Sequence, residues 1–107
     1  MKPHKVIRKI AKMSDHRVFH HGVIAMRGGS VVSVGTNIGW VHAEVAALRR
    51  IWPDQRKGLK IISIRIARSG RLANGKPCLE CQKHLKENGI KTIWYSNSKS
   101  EMEMMRI

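Results

Sequence analysis

One α/β unit, a sheet with helices packed against it, is what this chain predicts. Three observations lead there. Short runs rich in Val and Ile alternate with stretches of helical composition, and Gly and Pro mark the joints between them. A length of 107 residues suits one compact domain, with no linker, repeat or low-complexity segment to divide it. An apolar content of 42% is enough for a true core.

Taken in order, Val6, Ile10 and Met13 recur at helical spacing, widened by Ile7 and Ala11, while Lys5, Lys9 and Lys12 share the opposite side. This predicts an amphipathic helix over about Lys2 to Met13. Gly22 to Met26 and Val31 to Val34 flank Arg27-Gly28-Gly29-Ser30, the pattern of a β-hairpin. Thr36 to Trp40 reads as a loop leading to His42. Ala43 to Ile51, rich in Ala, Leu, Glu and Arg, is a helix stopped by Pro53. Lys60 to Ala67 is a strand whose four isoleucines imply burial. Ser69 to Gly75 is loop. Pro77 suits the first turn of a helix running to about Asn88, with Gly89 at its end. Lys91 to Tyr95 is a strand, Asn97 to Ser100 a turn, and Met102 to Ile107 a last strand. The order is α-β-β-α-β-α-β-β. Trp52 and Trp94 read as core residues.

Charge is lopsided. There are 21 Lys and Arg against 7 Asp and Glu, a net charge of +14. Such a balance favours a polyanionic partner or substrate, with a merely solubilising surface as the plain alternative. Basic residues crowd the N-terminus, vanish from Ser30 to Leu48, and return from Arg49 onward. No apolar run approaches a membrane span. The start of the chain lacks the continuous apolar segment of a signal peptide. Both cysteines, Cys78 and Cys81, lie within one motif, leaving none for a structural disulfide. A soluble intracellular protein, cytoplasmic or nuclear, is expected, and a homo-oligomer is compatible with the sequence.

The motif is His42-Ala43-Glu44 followed about 35 residues later by Pro77-Cys78-Leu79-Glu80-Cys81. Cys78 and Cys81, spaced i, i+3, face the same way on a helix, and a helix N-terminus favours the thiolate. With His42 they make three ligands of the kind zinc takes. Three ligands leave the fourth tetrahedral position open to water, as in catalytic zinc sites. Glu44, two residues past His42, lies near such an ion and is free to move protons. Separately, each residue has a plainer reading: a packed or surface histidine, a redox cysteine pair, a surface glutamate. His84, three residues past Cys81, offers the rival of a structural C-x₂-C-x₂-H zinc site.

The H-x-E and P-C-x-x-C halves together resemble the signature of the zinc-dependent nucleobase deaminases, the cytidine and deoxycytidylate deaminase-like superfamily. The resemblance covers about His21 to Tyr95, with Ala46-Ala47-Leu48 and Leu85 similar to its apolar positions. It implies a three-layer α/β fold, with a mixed five-stranded sheet and helices on both faces. It also implies one Zn²⁺ held by His42, Cys78 and Cys81, with Glu44 as proton shuttle. Asn37 is similar to the loop asparagine that contacts the sugar. The Ala43 backbone N–H would take the base carbonyl.

Some residues depart from the pattern of free-cytidine deaminases. The first ligand is His42 instead of a cysteine. Asn37-Ile38-Gly39 stands where an Asn-x-Glu grips the ribose, and Lys76 precedes Pro77. The short turn before the last strand leaves no room for a helix. This resembles the branch whose last two strands are antiparallel, as in the small cytidine and blasticidin deaminases. The tRNA adenosine and polynucleotide cytidine deaminases belong to the other branch. Trp40 is placed to stack on a base, and Arg65, Arg68, Arg71 and Lys76, leading toward Cys78, to meet phosphates.

The expectation is therefore hydrolytic deamination of cytosine to uracil on a phosphate-bearing substrate, either a nucleotide or single-stranded nucleic acid. The alternatives are a deaminase of free cytidine or a nucleoside analogue, and a basic nucleic-acid-binding module with a structural zinc.

Overall fold

The computed structural model describes residues 19–37, 42–99 and 101–107. The helix expected at Lys2 to Met13 lies outside them. The described elements are strands β1 (Phe19–Arg27) and β2 (Ser30–Thr36), helix α1 (Ala43–Arg49), and a 3₁₀ turn (Pro53–Gln55). Then come β3 (Lys60–Ala67), β4 (Leu72–Ala73), helix α2 (Leu79–Glu87), β5 (Thr92–Ser96) and β6 (Met102–Arg106).

The strands form one sheet in the order β2-β1-β3-β5-β6, with β4 beside β3. β1 pairs antiparallel with both β2 and β3, and β3 runs parallel to β5. β5 and β6 are antiparallel, as the short turn between them requires. The β1–β2 hairpin closes on Gly28-Gly29. It carries an irregularity where Ala25 pairs with Ser33 but Met26 with Val31, so Val32 is the extra residue.

The sheet has six strands among the described residues, one more than the five expected. The sixth is β4, within a stretch whose composition reads as loop. It exists because β3 outruns β5. Lys60 to Ser63 pair with β5, whereas Arg65 and Ile66 pair with Ala73 and Leu72. Ser96, fully buried, closes the split between these strands. Its hydroxyl donates to the Ala73 carbonyl at 2.7 Å and accepts from the Arg65 N–H at 3.0 Å. A backbone N–H leaving one ladder thus finds a side-chain acceptor.

Alternation along the strands divides the core. Val23, Ala25, Ile61 and Ile93 pack with Ala43, Ala47 and Leu48 of α1 and Leu85 of α2. Ile24, Met26, Ile62, Ile64 and Ile66 form a second cluster that half-buried Trp94 packs against. Both described helices therefore cover one face. β3 is apolar on both faces because it is central, with its isoleucines 0–5% exposed. Trp52 is not core. It immediately precedes the 3₁₀ turn and is 79% exposed.

Two glycines fix the helices. Gly89, at φ 80°, ends α2 in the left-handed conformation, with Gly89 N–H donating to Lys86 O and Ile90 N–H to Leu85 O, both at 3.0 Å. Gly35 lets α1 lie against β2. A Cβ there would strike the Ala43 carbonyl oxygen and sit 2.5 Å from the Ala47 nitrogen, both backbone atoms. Gly35→Ala must therefore push away the helix that carries Glu44. It is expected to cost about 3 kcal/mol, the upper range for overpacking. A thermal melt should then show a Tm lower by about 10 °C or more.

Candidate active site

His42 and Cys78 occupy the same structural position, the N-cap of a helix. Both have extended backbone (ψ 148° and 165°), and neither side chain caps its own helix. N-caps usually carry Ser, Thr, Asp or Asn to satisfy the first N–H groups. A histidine and a cysteine there leave their side chains available to each other. Cys81, in the first turn of α2, is buried, whereas Cys78 is exposed. α2 begins at Leu79, two residues later than Pro77 suggests, and the Pro77 carbonyl accepts from the Gln82 side chain at 2.8 Å.

The fold brings these three residues together across 39 positions of sequence. His42 Nδ1 lies 3.4 Å from Cys81 Sγ, and the three donor atoms lie within 4.8 Å of one another. A tetrahedral zinc with ordinary bond lengths places its nitrogen and sulfur ligands about 3.5–3.8 Å apart. The group comprises His42, Cys78 and Cys81 and neither Glu44 nor His84. Burial pushes the Cys81 thiol well above its ordinary range, and the negative charge of Glu44 raises it further. A thiol so placed ionises when a cation takes the proton's place. Donor set and spacing both fit a zinc ion.

Glu44 is 1% exposed in the first turn of α1. Neither carboxylate oxygen accepts an aligned hydrogen bond from the described residues. A buried carboxylate left this way is costly unless another group completes it. Its near neighbours are the Cys81 thiol, which it contacts directly, and His21, whose Nε2 lies 3.1 Å from Glu44 Oε1 and 2.5 Å from Ser63 Oγ. The Ser63 hydroxyl spends its own proton on the Gly75 carbonyl at 2.8 Å. His21 is itself buried, and burial lowers its pKa first of all. Glu44 opposes that shift, and Arg65 and His42 add to it. The ring is therefore neutral at neutral pH.

Sequence reading passed over His21 and Ser63. β1 starts three residues before the apolar run that marked it, and period-2 alternation back from Ala25 and Val23 would have placed His21 on the helix-covered face. Ser63 alternates with Ile61 on the same face of β3.

The other predicted residues are distributed as follows. Asn37 Oδ1 accepts from the His21 backbone N–H at 3.1 Å, tying the end of β2 to β1. Ala43 is fully buried as the first residue of α1. Trp40 lies outside the described residues. Arg65 is half-buried and pairs opposite His21. Arg68, Arg71 and Lys76 are exposed. No described helix is long and apolar enough to cross a membrane.

No protein-family model matches the chain, and no curated protein sequence matches it significantly. Solved structures do. RibD from Acinetobacter baumannii superposes with a TM-score of 0.63 at 18% identity, over 86% of this chain and 25% of that one. This chain thus spans a quarter of that protein. The dCMP deaminase of cyanophage S-TIM5 gives 0.59 at 21% identity, covering 92% of this chain and 86% of that one. A mutant cytidine deaminase from Mycobacterium tuberculosis gives 0.57 at 19% identity, covering 85% and 79%. The fold is the cytidine deaminase-like α/β fold. At these identities the likeness speaks for the fold, and the chemistry must come from the residues.

Proposed function

We propose that the chain is a zinc-dependent hydrolytic deaminase that converts cytosine to uracil on a phosphate-bearing substrate, a nucleotide or single-stranded nucleic acid. The observation that carries this reading is the buried, incompletely bonded Glu44 carboxylate beside a cluster of three metal-binding donors with no fourth protein ligand among the described residues. Bound zinc would supply a Lewis acid able to make water a nucleophile near neutral pH. His42, Cys78 and Cys81 would hold the ion. Glu44 takes a proton from the attacking water and hands it to the base. The water oxygen bonds to the ring carbon, its second proton passes to the exocyclic amine, the carbon–nitrogen bond breaks, and the amine leaves as ammonia. No electron is gained or lost. Asn37 is assigned to the sugar and the Ala43 backbone N–H to the base carbonyl. Trp40 is assigned to stacking.

The phosphate preference rests on the net charge of +14 and on Arg65, Arg68, Arg71 and Lys76 along the approach to Cys78. The cyanophage dCMP deaminase, solved in complex with dCMP and dUMP, supports a nucleotide. The antiparallel β5–β6 pairing favours the second reading, a deaminase of free cytidine or an analogue. Cytidine, dCMP, single-stranded DNA and RNA assayed in parallel separate the two. Uracil formation on dCMP or a polynucleotide above that on cytidine is expected, with about one zinc per chain. Preference for cytidine would move the second reading to first place. Zinc without turnover of any of the four would leave a structural-zinc module.

A further inference from the structure

Buried polar groups in a core must be accounted for, and His21 and Ser63 sit side by side among apolar residues of the helix-covered face. The Ser63 hydroxyl can donate only once, and Gly75 O, an acceptor alone, takes that proton. Ser63 Oγ therefore turns a lone pair toward His21 Nε2, 2.5 Å away. The second group facing Nε2 is the Glu44 carboxylate, also an acceptor. A bare Nε2 would oppose two acceptors where all three side chains are buried, so Nε2 carries the ring proton. That proton points at Ser63 and passes beside Glu44 Oε1, which explains why the 3.1 Å contact is close yet not an aligned hydrogen bond.

We infer that His21 is a positioning residue for Glu44: anchored by Ser63 and Gly75, the Nε2 edge of its ring packs 3.1 Å from Oε1, fixes where that oxygen lies and leaves Oε2 to the reacting groups. This rests on the proposed deaminase reading. The arrangement follows the general rule that a group doing chemistry is oriented by a hydrogen-bonded group behind it. The chain of partners runs from α1 to β1, β3 and the loop before Cys78, so one network ties the carboxylate to both halves of the motif. Gly75 is part of the design. A Cβ there would sit 2.8 Å from Ser96 Oγ and 2.9 Å from the Ser63 carbonyl oxygen, so this loop is pressed against β3 and keeps its carbonyl within reach of Ser63.

The test uses the zinc-loaded full chain. Long-range ¹H–¹⁵N spectra of the histidine rings, assigned with His21→Gln, should show His21 as the Nε2–H tautomer. An Nδ1–H ring would overturn the inference, and this readout stands even if a substitution at 21 impairs folding. In kinetics, His21→Leu should lower kcat by about 10- to 100-fold, the scale for lost orienting partners, with KM and zinc content little changed. His21→Gln, which keeps an N–H donor, should recover much of the loss. Equal impairment of both variants, or an undiminished kcat in His21→Leu, would reduce His21 to a packing residue. A wild type that deaminates none of the four substrates would instead defeat the functional reading, while the ring spectra would still report on the network.

Discussion

Glu44→Gln is expected to lower kcat for deamination by about 10²- to 10⁴-fold, the range for a lost general acid–base, while the protein stays folded and keeps its zinc. Glutamine preserves the shape of a side chain that is 1% exposed, so no cavity opens. Its amide oxygen can face His21 Nε2, where Oε1 now lies. What is lost is the ability to take up a proton. Stability should hold or rise, because an incompletely bonded buried carboxylate is removed. Steady-state kinetics on the preferred substrate, metal analysis and a thermal melt check the three parts. A variant that loses zinc would make Glu44 a ligand. One that is folded, zinc-bound and fully active would move proton transfer to another group.

How much of this was legible in the sequence follows from how local each feature is. The hairpin, the end of α2 at Gly89 and the central strand β3 depend on neighbours within a few residues, and the sequence carries them. β4 depends on where β5 leaves β3, a fact about two distant strands, so Leu72-Ala73 between polar residues reads as loop. Trp52 looks like core by composition, but Pro53 and the 3₁₀ turn set its backbone and direct it outward. The same divide runs through the site. His42, Cys78 and Cys81 are legible because each is marked by its place at a helix start. His21 and Ser63 are not, because their meaning comes from strand register and from a carboxylate on another element. Basic residues on the approach to Cys78 were grouped by sequence alone, whereas the fold sets Arg65 apart, half-buried opposite His21, from exposed Arg68, Arg71 and Lys76.

The other large effect expected is from Cys81→Ala. Of the two cysteines it is the buried one, 4% exposed and 3.4 Å from His42 Nδ1. Alanine keeps a small apolar group there, so packing suffers little. The donor set, however, falls from three to two, and two ligands hold zinc poorly beside chelating competitors. Metal content after dialysis should fall from about one zinc per chain to a small fraction, and deamination should disappear with it. Stability gives an independent reading. An ion that binds the folded chain stabilises it by mass action, about 2.7 kcal/mol at a hundredfold excess over Kd. The wild-type Tm should therefore rise with added zinc and fall with EDTA. The Cys81→Ala melt should move with neither, settling near that of the EDTA-treated wild type. Cys78→Ala is expected to lose zinc in the same way, with less effect on the zinc-free fold, since Cys78 is exposed. A Cys81→Ala protein that still held a full equivalent of zinc would show that the ion, and with it the proposed chemistry, sits elsewhere.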